Sequence, residues 1–149
     1  MSKKSEKYER FSGKGRTGTR QLLLQVLYQH QMNQDDLETL LNQSLKIKEF
    51  SRIDQDYYQI LLSEVLENQS QIEEIITKHL DRPIDQIDPI EKAIMWIAVS
   101  EILFHPDVPV SVVINEAVEL AKLFGAEGSF QYINAVIDAF QHAHSQEGK

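Results

Sequence analysis

From Val108 to Asp138 the chain reads VPVSVVINEAVELAKLFGAEGSFQYINAVID, and its apolar residues recur at steps of three and four. Val110, Val113, Ile114, Ala117, Val118, Ala121 and Phe124 fall on one helical face, while Glu116, Glu119 and Lys122 point elsewhere. Phe130, Ile133, Val136, Ile137 and Phe140 repeat the pattern. A period near 3.6 commits both stretches to helix rather than strand, and each needs a core to cover its apolar stripe. Gly125 is read as the residue just past the first helix, where a left-handed backbone costs glycine little.

The same reading extends upstream. Leu23, Leu24, Leu27, Tyr28 and Gln31 predict a first helix from about Thr17–Thr19 to Met32, ended by Asn33. Asp35-x-x-Glu38 reads as a capping box for a second helix carrying Leu37, Leu40, Leu41 and Leu45. Asp54 is the expected N-cap of a third, with Tyr57, Tyr58, Leu61, Leu62, Val65 and Leu66. Ser70-x-x-Glu73 reads as the box of a fourth, with Ile72, Ile75, Ile76 and Leu80. Asp81 to Asp88 (DRPIDQID) reads as a hinge between halves. Asp88 caps a fifth helix, with Pro89 at its first position and Glu91 at its third, where negative charge suits the helix dipole. Ile90, Ala93, Ile94, Ile97, Glu101 and Phe104 share its broad face; Pro106 ends it and Pro109 starts the sixth. No run alternates with period two, so the expected fold is all-α, of about seven helices.

Composition narrows the chemistry. The chain of 149 residues has no cysteine, which removes disulfides and cysteine-based metal sites or nucleophiles. No apolar run approaches the roughly 18 residues of a membrane span, and no apolar segment follows the basic N-terminus as in a signal peptide. Asn42-Gln43-Ser44 and Asn68-Gln69-Ser70 match the glycosylation sequon, read as chance matches in a cytoplasmic chain. The five histidines are scattered, and Asp81, Asp85 and Asp88 lack the glycine and terminal glutamate of a calcium loop. Phosphate-binding glycine loops of the known patterns are missing. The expectation is therefore no enzyme, no cofactor and no metal.

The net charge of −8 conceals an asymmetry. Residues 1–20 hold Lys3, Lys4, Lys7, Arg10, Lys14, Arg16 and Arg20 against Glu6 and Glu9, a balance of +5, and the rest balances to −13. Residues 1–15 read as a flexible basic arm ahead of a single domain over 16–145. Lys14, Arg16 and Arg20 at the entry to the first helix suit phosphate, since backbone N–H groups there also favour anions. Tyr28 and Tyr132 suit stacking on unpaired bases. The plainer alternatives are a solvated tail and two partly buried core tyrosines.

Three blocks carry a resemblance. The stretch P-x-x-V-x-I-N-E-A-V-E-L-A-K-x-F-G from Pro109, followed by an aromatic-I-N-x-V-I-D run at Tyr132, resembles the end of the NusB transcription-antitermination family. Gln21 to Met32 (QLLLQVLYQHQM) is similar to its first helix, with Gln25, Leu27 and Tyr28, and Asp88 to Leu103 (DPIEKAIMWIAVSEIL) to its central one. The likeness covers roughly Arg16 to Phe140, while residues 35–80 match in helix pattern more than in wording.

That resemblance implies two packed helical sub-bundles, at about 16–80 and 84–143. It implies binding of single-stranded boxA RNA through the arginines of the N-terminus and the aromatic at Tyr132. It also implies a heterodimer with ribosomal protein S ten, met by Glu91 and Asp85, within the transcription elongation complex. A homodimer is a further arrangement in the family. The chain departs from the pattern: the arginine cluster is thinned to Arg16 and Arg20 around Thr17, Gly18 and Thr19, Trp96 replaces an arginine, and Gly128 stands where some members carry an acid. Two rival readings are a helical scaffold that binds only proteins, and an RNA-binding domain related to ribosomal RNA methyltransferases.

Overall fold

The computed structural model describes residues 13–147. Among them seven α-helices follow in order: α1 (Gly15–Asn33), α2 (Leu37–Leu45), α3 (Gln55–Glu67), α4 (Gln69–Thr77), α5 (Pro89–Phe104), α6 (Val110–Phe124) and α7 (Ser129–Glu147). Short 3-10 turns at Lys48–Arg52 and Ile84–Gln86 join α2 to α3 and α4 to α5. The all-α expectation holds, and the chain forms two compact units that divide between Ser63 and Glu64, within α3. No helix of the described residues is long and apolar enough to cross a membrane.

In the first unit α1 starts two residues before the expected Thr17. Gly15 accepts a backbone hydrogen bond from Asp54 N–H (3.1 Å), and the Thr19 hydroxyl donates to the Asp54 carbonyl (2.7 Å), which fixes the first turn. Leu22, Leu23 and Leu24 are all fully buried. Three successive residues cannot share one helical face, so α1 is covered on more than one side. Its end is marked by Gln34 in the left-handed conformation (φ 61°), whose N–H bonds the His30 carbonyl.

The cap of α2 is Asp36 rather than Asp35. Asp36 Oδ1 accepts from Thr39 N–H at 2.9 Å, the third helical position, whereas Asp35 accepts from the Gln29 side chain. Asp54 caps α3 as expected, accepting from Tyr57 N–H at 3.0 Å. Ser70 caps nothing: it lies inside α4. Asn68 sits at the joint, and both its N–H and its side-chain amide donate to the Glu64 carbonyl. The hydrogen-bond ladder thus continues across the joint, and the second helix has little need of a new cap.

In the second unit α5 is buried on every side from Ala93 to Ile102, including Ser100 and Glu101. The broad single face expected for it is a full cylinder, the pattern of a central helix. α6 and α7 pack on α5 and on each other, and α4 packs on α5 and α7. The Asp81–Asp88 segment therefore connects two helices of one unit. Gly125 is extended (φ −87°, ψ 176°) and not left-handed. It must be glycine for another reason: a Cβ there would lie 2.5 Å from Ser129 Oγ and 2.8 Å from the Ala121 carbonyl oxygen. The left-handed residue of this turn is Gly128, at φ 82°.

Candidate nucleic-acid and partner interface

Lys14, Arg16, Arg20 and Tyr28 all belong to the first unit; Lys3, Lys4, Lys7 and Arg10 lie outside the described residues. Lys14 is exposed at the N-cap of α1, and the first turn carries no acid to offset the helix dipole. Arg16 is exposed, with its guanidinium carbon 4.0 Å from the centre of the Tyr57 ring and Nε 3.7 Å from Asp54 Oδ2. Arg20 is different. It is only 3% exposed, with its guanidinium carbon 5.9 Å from the same ring. Tyr28 is 37% exposed, and Met32, one turn further on α1, is exposed beside it.

Tyr132, Asp85 and Glu91 belong to the second unit. Tyr132, on α7, donates its hydroxyl to Asp81 Oδ1 (2.9 Å) and accepts from Asp81 N–H (3.4 Å). The same carboxylate is forked onto Arg82, with Nε to Oδ1 at 2.8 Å and Nη2 to Oδ2 at 3.2 Å. Arg82 in turn lies over the Tyr132 ring, 4.8 Å from its centre. These contacts set the charges. The Arg82 guanidinium and the Tyr132 hydroxyl hold the Asp81 carboxyl below the usual carboxylate range, and Asp81 raises Arg82 in return. Burial, and then the bond to Asp81, push the Tyr132 phenol up.

Glu91 is half-buried at the start of α5. Burial raises its carboxyl above the ordinary value, the Asp88 charge adds to this, and Arg82 pulls it back. Asp88 itself caps the helix, accepting from the N–H of Ile90 (2.8 Å) and Glu91 (3.4 Å). Asp85 is exposed in the 3-10 turn between. Arg82 thus contacts Tyr132 directly and acts on Glu91 only through its charge.

Arg82 was not among the expected site residues. The one available signal was local: it is the only base in DRPIDQIDPIE. His105 was missed too. Its Nε2 lies 2.8 and 3.0 Å from the two Glu64 oxygens, tying the C-cap of α5 to α3. Among the described residues no group of three or more His, Asp or Glu side chains is arranged to hold a metal ion.

These features define an all-helical protein whose surface offers cations and aromatics in one unit, and an aromatic–acid–arginine set beside carboxylates in the other. The NusB family model matches residues 17–142. The transcription antitermination protein NusB of Shewanella woodyi is 40% identical over 123 residues, covering 83% of this chain and 92% of that one. Among solved structures, T. maritima NusB aligns with a TM-score of 0.75 at 26% identity, over 85% of this chain and 90% of that one. A complex of the antitermination factors NusB and NusE with double-stranded RNA shares the fold, with a TM-score of 0.72 at 23% identity over 86% and 96%. The chain belongs to the NusB family.

Proposed function

We propose that this protein is a non-enzymatic, cytoplasmic transcription antitermination factor that binds boxA-type RNA together with ribosomal protein S ten. The observation that carries the reading is the family match across residues 17–142, with a curated relative of that name and 40% identity. The solved NusB–NusE–RNA complex supports a protein partner and an RNA for the same fold. The chemistry is recognition. Lys14 and Arg16 supply exposed cations for phosphate, and Tyr28 and Tyr132 supply rings for bases. Arg20, at 3% exposure, supports the Tyr57 platform rather than reaching the backbone of the RNA. Asp85 and Glu91 offer charge to a basic partner, in keeping with the −13 balance beyond residue 20. The assembly acts on the transcription elongation complex, from a single helical domain preceded by a basic arm.

The test is a titration of fluorescently labelled boxA-type RNA, as single strand and as duplex, with and without ribosomal protein S ten. Binding of the single strand, tightened by the partner, is the expected result. No binding at low salt with the partner present would leave only a protein-binding scaffold.

A further inference from the structure

We propose that Asp81 is a built-in competitor of RNA phosphate for Arg82, so that this carboxylate sets the affinity of the RNA site at Tyr132. The inference rests on the RNA-binding reading above and adds a residue that weakens it. Its basis is the geometry. Both oxygens of Asp81 are spent on the Arg82 fork, and Oδ1 also accepts a hydrogen bond from the Tyr132 hydroxyl. A phosphate offers an arginine the same two-oxygen face as a carboxylate, so the two are alternatives for one guanidinium. Both members of the pair are exposed, Arg82 at 45% and Asp81 at 63%, so an RNA strand can reach them. With Asp81 in place, Arg82 brings no net charge to the strand. Asp85, Asp88 and Glu91 follow within the next ten residues of the chain and add negative charge to the segment that carries Arg82.

Asp81→Asn keeps the shape and the acceptor for the Tyr132 hydroxyl but removes the charge. The freed Arg82 then contacts phosphate. Because the pair is solvent-screened, the gain is modest: about two- to tenfold tighter binding of single-stranded RNA at low salt, fading as salt rises. The signature is in the salt dependence, which should steepen by about 0.7 in the log–log slope for one added phosphate contact.

The experiment titrates labelled boxA-type single-stranded RNA, with ribosomal protein S ten present, against wild type, Asp81→Asn, Asp81→Ser and Asp81→Asn/Arg82→Ala. Trp96 fluorescence, from a side chain buried in α5, verifies folding of each. A gain in both single variants with a steeper slope, abolished by Arg82→Ala, is the expected result. Wild-type binding with no gain in the variants, or a gain that survives Arg82→Ala, overturns the competitor role and leaves the RNA-binding function standing. No binding by any of the four proteins overturns both.

Discussion

Arg16 stacks on Tyr57, its guanidinium carbon 4.0 Å from the ring centre, while Arg20 stands 5.9 Å from the same ring and is buried. One tyrosine thus organises both arginines of the thinned cluster, but only Arg16 remains open to solvent. Asp54 completes the arrangement, since one of its oxygens caps α3 and the other faces Arg16.

The two arginines should therefore fail differently. Arg16→Ala is expected to weaken RNA binding and flatten the log–log salt slope by about 0.7, with unchanged helicity. Arg20→Ala should instead lower stability by about 1–3 kcal/mol, since burial leaves its former partners and packing unreplaced. Urea melts followed by circular dichroism, beside RNA titrations, separate the two. Reduced affinity at full stability in Arg20→Ala would make it a contact residue after all.

Tyr132 carries two separable features, a ring and a hydroxyl committed to Asp81. Tyr132→Phe keeps the ring and should bind RNA about as well as wild type. Tyr132→Ala should lose about 1–3 kcal/mol of binding, the usual contribution of one stacked base. Were the alanine variant to melt earlier yet bind normally when folded, the ring would be structural.

What could be read from the sequence was what neighbours in the chain determine. Asp54 and Asp88 were legible as caps because each is a capping residue shortly before an apolar helical run. Between Asp35 and Asp36 the capping-box pattern chose wrongly, since backbone geometry and not the Glu38 spacing selects the cap. Ser70 failed for a related reason: a helix that continues from the one before it needs no fresh start signal. The burial of Arg20 was illegible because charge argues for exposure, and only packing can override that. The Asp81–Arg82–Tyr132 set depends on a contact across 51 residues, which no local pattern encodes. Family likeness pointed to Tyr132 and Glu91, but not to the arginine that lies over the Tyr132 ring.

Asp88 holds the first turn of the helix on which the second unit is built. Asp88→Ala leaves the N–H groups of Ile90 and Glu91 without their acceptor, and should cost about 0.5–2 kcal/mol. Asp88→Asn should recover most of this while lowering the Glu91 carboxyl toward its usual range, because the neighbouring charge is gone. Denaturant melts and carboxyl titration by NMR check the two effects independently. A full loss of stability in the asparagine variant would mean that charge, not hydrogen bonding, is what the cap supplies.

Glu91 tests the partner surface, and the sign of its titration matters. Burial and Asp88 raise its carboxyl above the value it has in the unfolded chain. The folded state therefore holds the proton more tightly, and the stability this gives is present below the ordinary carboxylate range. It is lost as pH rises through the elevated value. At neutral pH the charge is a small burden on the fold, offset by its favourable place at a helix N-terminus. Glu91→Gln should accordingly change stability by no more than about 1 kcal/mol and flatten the acid side of the pH–stability curve. Binding should respond in the opposite sense. A half-buried carboxylate at the start of α5 suits a basic partner, and removing its charge should weaken the heterodimer with ribosomal protein S ten, most at low salt. Calorimetric titration of wild type and Glu91→Gln at two salt concentrations decides it: equal affinities at both would assign Glu91 to the fold alone.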